Sequence, residues 1–195
     1  WSMARLFRHR GKDAGDPPGT LVHTGAHRES PVTITVIDYD EAALAERGLD
    51  SVDDASQYIG TGSVTWINVD GVHDVGIVEA LGNVFGLHPL TLEDIVNTAQ
   101  RAKIEEYESA IYLVLRMPRI DTETNEILSE QISFILTKDC VVSFQEQPGD
   151  VFEPVRQRLR AGSGRIRKEG TDYLCYALID AVVDHYFVLL ERVSD

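Results

Sequence analysis

The sequence predicts an α/β fold: a mixed parallel/antiparallel sheet with helices on both faces, ending in a long acidic amphipathic helix. Three observations carry this expectation. In the first half of the chain, β-branched runs alternate with apolar residues at helical spacing. From residue 111, three apolar runs separated by short polar turns read as hairpin-connected strands. From Thr171, apolar residues recur at helical spacing up to Asp195 with no stop signal between them.

Taken in order, residues 1–31 are expected to form a disordered extension. Trp1 and Ser2 ahead of Met3 read as added residues, and a Gly/Pro-broken basic segment follows. Val32 to Asp38 alternates β-branched and polar residues, as a strand does. Asp40 is then expected to cap a short helix through Arg47, closed by Gly48. Gly60 and Gly62 read as turn residues before a strand at Val64 to Val69; a dinucleotide fingerprint would need a third glycine where Thr65 stands. Asp74 opens a helix whose stripe is Ile77, Val78, Leu81, Val84 and Phe85, with Gly86 ending it.

The His88-Pro89 junction starts the next helix, because the residue before proline is pushed out of the α region and proline is pre-set for a first helical turn. Leu92, Ile95 and Val96 can then face a core. Glu93 and Asp94, about 100° apart around the axis, diverge toward solvent or a partner.

Ile111 to Met117 is apolar enough to predict a central strand buried on both faces. A polar turn at residues 121–125 leads to Ile127 to Leu136, and Thr137-Lys138-Asp139 connects that run to Cys140 to Phe144, giving an antiparallel meander. Asp150 and Glu153 are spaced as a capping box for a helix with Phe152, Val155 and Leu159 inside, ending near Gly162. In the last helix Leu174, Leu178, Ala181, Val182, Leu189 and Val193 are core-like.

Composition narrows the function classes. The chain has 195 residues, 43% of them hydrophobic, enough for one domain. Its 32 acidic and 18 basic residues give a net charge of −14, which argues against a nucleic-acid partner and for cations or a basic one. Cys140 and Cys175 lack metal-site spacing and read as reduced core thiols. No secretory signal and no unbroken apolar run of about 18 residues is visible, so a soluble intracellular fragment is expected. His73, His88 and His185 form no recognisable pairing with a nucleophile, and no serine lies in a G-x-S-x-G elbow, so no enzyme signature is found.

Several motifs occur in one order: Gly86-Leu87-His88-Pro89-Leu90, Glu93-Asp94-Ile95, Gln100-Arg101-Ala102-Lys103-Ile104-Glu105, Ser129-Glu130-Gln131-Ile132-Ser133, Phe144-Gln145-Glu146, Gly149-Asp150-Val151-Phe152-Glu153-Pro154, and Asp172-Tyr173-Leu174 through Asp184-His185-Tyr186-Phe187. In this order they resemble the cytoplasmic domain of CorA-type magnesium channels, from Val32 onward. The resemblance implies an α/β/α sandwich at residues 32–195 and a homopentamer of identical subunits in the inner (plasma) membrane. The family's Gly-Met-Asn pore signature is absent, so the chain is expected to stop before the stalk and transmembrane helices that hold the membrane.

On the last helix, Asp180, Asp184, Glu191 and Asp195 fall within about 60° of one another. A solvated face is the plain reading for Asp184 and Glu191. For Glu93, Asp94 and Asp180 the resemblance implies a role in divalent-cation sites between neighbouring protomers. Magnesium is the expected regulatory ion, weakly held, with cobalt, calcium or zinc as other candidates; it prefers hard oxygen ligands and keeps several waters. Two alternatives stay open. A ZntB-like zinc transporter shares the superfamily, and a soluble metal-dependent phosphohydrolase would need a compact carboxylate cluster within one chain. The basic run Arg156, Arg158, Arg160, Arg165, Arg167 and Lys168 is expected to be a solvated or salt-bridged surface.

Overall fold

A computed structural model of the chain describes residues 17–25, 30–120, 124 and 126–194. Seven strands form one sheet: β1 (Thr33–Tyr39), β2 (Leu44–Gly48), β3 (Val64–Asp70), β4 (Lys103–Glu106), β5 (Ile111–Ile120), β6 (Ile127–Leu136) and β7 (Cys140–Gln145). Their spatial order is β2-β1-β3-β7-β6-β5-β4. Only β3 and β7 pair in parallel, in register from Thr65↔Cys140 to Asp70↔Gln145. Such a pair needs a long crossover, and everything from residue 71 to 139 lies within it.

Helices cover both faces, as expected. On one face, α1 (Val75–Phe85), α2 (Pro89–Val96) and a 3₁₀ turn at Val52–Tyr58 close over Ile67, Val69, Val142 and Phe144. On the other, α3 (Glu153–Ala161) and α4 (Thr171–Ser194) close over Trp66, Phe134 and Val141. The parallel seam also holds a buried polar chain in which Trp66 Nε1 donates to Ser143 Oγ at 2.9 Å and Ser143 Oγ donates to Asn68 Oδ1 at 2.6 Å. Each group is satisfied, which fixes register where apolar packing alone would tolerate a slip.

The helix expected from Asp40 to Arg47 is instead a turn and the edge strand β2, which pairs antiparallel with β1. Asp40 Oδ1 accepts from the amides of Ala42 and Ala43, both at 2.7 Å. The side chain that would cap a helix closes a hairpin with the same chemistry, and β1 then satisfies the backbone that follows. β5 is not central either. It is second from the edge, and the central strand is β7, all six of whose residues are buried. The capping box also fails: Asp150 accepts from Phe152 N at 2.9 Å, but Glu153 reaches Arg160 rather than back to the cap. The 3₁₀ turn and β4 are not among the elements expected from the sequence.

The meander is as expected, with β5 and β6 paired from Ile111↔Leu136 to Ile120↔Ile127, and β6 paired with β7. Its first turn lies largely outside the described residues, as do Asp195 and much of the extension, residues 1–16 and 26–29. Residues 17–25, in the remainder of that extension, lie along α2, with Thr24 N donating to Val96 O at 3.3 Å and Leu21 packed on the core. Both cysteines are free and buried, and burial pushes each thiol up to about 11. By length and average composition, Thr171–Glu191 of α4 is apolar enough to cross a membrane, although acidic residues interrupt it. Its Leu174, Leu178 and Val182 are buried in the core.

Candidate divalent-cation site

Helix α2 is fixed at both ends. At its start His88 holds the extended conformation expected of it, φ −67° and ψ 140°, and its Nδ1 accepts from Leu90 N at 3.2 Å. Leu92, Ile95 and Val96 are buried. Leu92 lies against α1 at Gly82, where a Cβ would stand 2.5 Å from Leu92 Cδ1, so the close approach requires glycine. At the other end the buried Gln131 of β6 donates from Nε2 to the carbonyl of Asp94 at 2.9 Å, while its Oε1 accepts from Gln100 N at 3.0 Å. The sheet therefore sets the position of the acidic turn. Gln131 was visible in the sequence only as part of a motif, with no indication of this role.

Glu93 and Asp94 point apart, and each meets groups of the same chain. Glu93 Oε2 accepts from Gly19 N at 2.7 Å. Asp94, with 22% of its side chain exposed, binds Lys103 Nζ through Oδ2 at 2.5 Å and Gln100 Nε2 through Oδ1 at 2.7 Å. Lys103 also reaches Glu105 Oε1 at 2.7 Å and lies over the Tyr112 ring, 5.5 Å from its centroid. Burial alone would lower the Lys103 pKa, but its hydrogen bonds to Asp94 and Glu105 outweigh that and the net shift is upward. The Lys103 ammonium, then the Tyr107 hydroxyl, hold the Glu105 carboxyl below the usual glutamate value.

Asp180 is elsewhere. It lines a groove of about 340 Å³ between α3 and α4, together with Asp150, Arg158, Asp184 and His185. That groove is on the face of the sheet opposite α2. One chain therefore does not bring Asp180 to Glu93 and Asp94, and among the described residues no group of three or more His, Cys, Asp or Glu side chains could hold a metal ion. The carboxylate oxygens suit magnesium in kind, but each set is at most half a site. Asp184 and Glu191 are exposed, as expected for a solvated face.

Most of the basic run is engaged within the chain. Arg156 forms a two-pronged pair with Asp150 at 2.7 and 2.5 Å; Arg160 bridges Glu46 and Glu153. Arg165 pairs with Glu169, and Arg167 donates to the carbonyls of Leu159 and Arg160.

Residues 61–195 match the family model described as CorA-like Mg2+ transporter protein. The chain belongs to this family. It is 48% identical to the cobalt/magnesium transport protein CorA of Thermotoga maritima over 181 residues, which is 93% of this chain and 51% of that protein. The chain thus spans about half the length of this CorA relative. Among solved structures, the soluble domain of CorA from Methanocaldococcus jannaschii superposes with a TM-score of 0.60 at 14% identity, covering 83% of this chain and 60% of that one. The ZntB cytoplasmic domain from Vibrio parahaemolyticus superposes with a TM-score of 0.62, also at 14% identity, covering 83% and 62%. At that identity both show a shared fold, the mixed sheet between helical layers.

Proposed function

We propose that this chain is the cytoplasmic, divalent-cation-sensing domain of a CorA-type magnesium channel or transporter, and not an enzyme. The observation that carries the reading is the 48% identity to a cobalt/magnesium transport protein across nearly the whole chain. The full-length protein is then a homopentamer of identical subunits in the inner (plasma) membrane, with this domain in the cytoplasm and no nucleic-acid partner.

Glu93, Asp94 and Asp180 are the proposed sensing carboxylates. α2 and α4 lie on opposite faces of the sheet, so sites between subunits would join different faces of neighbouring copies. Facing carboxylates repel, which favours separation of the subunits. A bound magnesium ion supplies the positive charge that offsets this repulsion. The arrangement that binds the ion better is the one it stabilises, so gating and ion affinity are coupled reciprocally. Magnesium is both cargo and weak regulatory ligand here, with cobalt, calcium or zinc as competing ions.

The fold shared with the ZntB domain favours zinc transport as the second reading. Cells deficient in magnesium uptake separate the two when they express the longer protein that contains this chain. Restored growth at low external magnesium is expected. Zinc accumulation without magnesium-dependent rescue would favour the second reading and overturn the first.

A further inference from the structure

We infer that Lys103 is a tethered competitor for the divalent ion at Asp94, setting how much cation is needed to occupy that carboxylate. This rests on the proposed role of Asp94 in ion binding and adds the residue that regulates it. The Lys103 ammonium already occupies a cation position, 2.5 Å from Asp94 Oδ2, with both side chains only about a quarter exposed. Gln100 engages the other oxygen, so both Asp94 oxygens already carry a partner, and a divalent ion that binds Oδ2 must share it with Lys103 or displace the ammonium. Two cations at contact distance repel most where solvent screening is weak, so displacement is the lower-energy course.

The structure provides a second seat for the displaced ammonium. Lys103 and Glu105 are two apart on β4, hence on the same side of the strand, and Glu105 Oε1 is already 2.7 Å from Nζ. Glu105 is held from its other oxygen by the Tyr107 hydroxyl at 2.8 Å, and the Tyr112 ring lies beneath the ammonium. Lys103 therefore exchanges a two-carboxylate seat for a one-carboxylate seat and stays paired. Glu105 makes the exchange possible, so the two residues have opposite effects on ion affinity.

Magnesium chloride titrations of the full-length protein, followed through the methyl NMR shifts of Ile95 and Val96 in α2, test the inference. Lys103→Gln should lower the midpoint about fivefold, the equivalent of one partly exposed ion pair. Glu105→Gln should raise it, and the charge-retaining Lys103→Arg should keep the parental midpoint. Asp94→Asn should abolish the response. If Asp94→Asn abolishes it but Lys103→Gln and Glu105→Gln leave the midpoint unchanged, the competitor role is wrong and the ion-binding role of Asp94 stands. If neither the parent nor Lys103→Gln shows an Asp94-dependent response, both fail. The Glu105 arm keeps the test decisive should Lys103→Gln perturb folding.

Discussion

Leu92→Ala should lower the unfolding free energy by about 2–5 kcal/mol, because the side chain is buried between α1 and the sheet and its removal leaves a cavity. Gly82→Ala should also destabilise, since its new Cβ would lie 2.5 and 2.6 Å from the two Leu92 methyl carbons; overpacking of this kind typically costs about 1–3 kcal/mol, more than the gain of about 1 kcal/mol in helix propensity. The double variant relieves the clash and fills part of the void. Urea denaturation of all four proteins should therefore show the double variant less destabilised than the sum of the single variants. Additive losses would mean that Leu92 and Gly82 are not in contact. Asp94→Ala is the matched control: its ion pair is partly exposed and Lys103 keeps Glu105, so a change within about 1 kcal/mol is expected.

The second large effect is at Arg156, which the sequence places in a basic surface run. Its side chain is 15% exposed, that of its partner Asp150 is 7% exposed, and its guanidinium lies over the Trp66 ring at 4.8 Å. Removing one member of a buried pair leaves the other charged and unmatched. Arg156→Met should therefore cost about 3–5 kcal/mol, and adding Asp150→Asn should recover part of that loss because the stranded charge is gone. Asparagine retains the oxygen that accepts from Phe152 N, so the turn into α3 is kept. A full loss in the double variant would instead assign the cost to lost packing of Arg156 on Trp66.

How much was legible in the sequence depended on whether the signal was local. Helices α1 and α2 and the β5–β7 meander were legible because periodicity, proline and glycine act over a few residues. The edge strands β2 and β4 were not. They are short and mostly polar, and their strand character comes from pairing with β1 and β5 rather than from their own residues. Asp40 shows the ambiguity in one residue, since an aspartate that accepts amides two and three positions on serves a helix cap or a tight turn equally well.

The candidate site divides in the same way. Glu93 and Asp94 are adjacent on a helix whose start is marked by proline, so the sequence placed them together. Their partners Gly19, Lys103 and Gln131 are 74, 9 and 37 residues away, and tertiary packing alone decides those contacts. The two carboxylates are consequently less free than their position on an amphipathic helix suggests. Asp180 lies off the buried stripe of α4 formed by Leu174, Leu178 and Val182, but nothing local indicates that α4 covers the face opposite α2.

Limited proteolysis of the full-length protein across a magnesium titration tests the sensing role most directly, with Asp94→Asn and Asp180→Asn beside the parent. Each substitution removes one negative charge while nearly preserving volume. The parent should become protected as magnesium rises. A variant should either need more magnesium for the same protection, which indicates lost affinity, or be protected without magnesium, which indicates relieved repulsion. Titrations of both variants that superpose on the parent would contradict the assignment of magnesium sensing to these carboxylates.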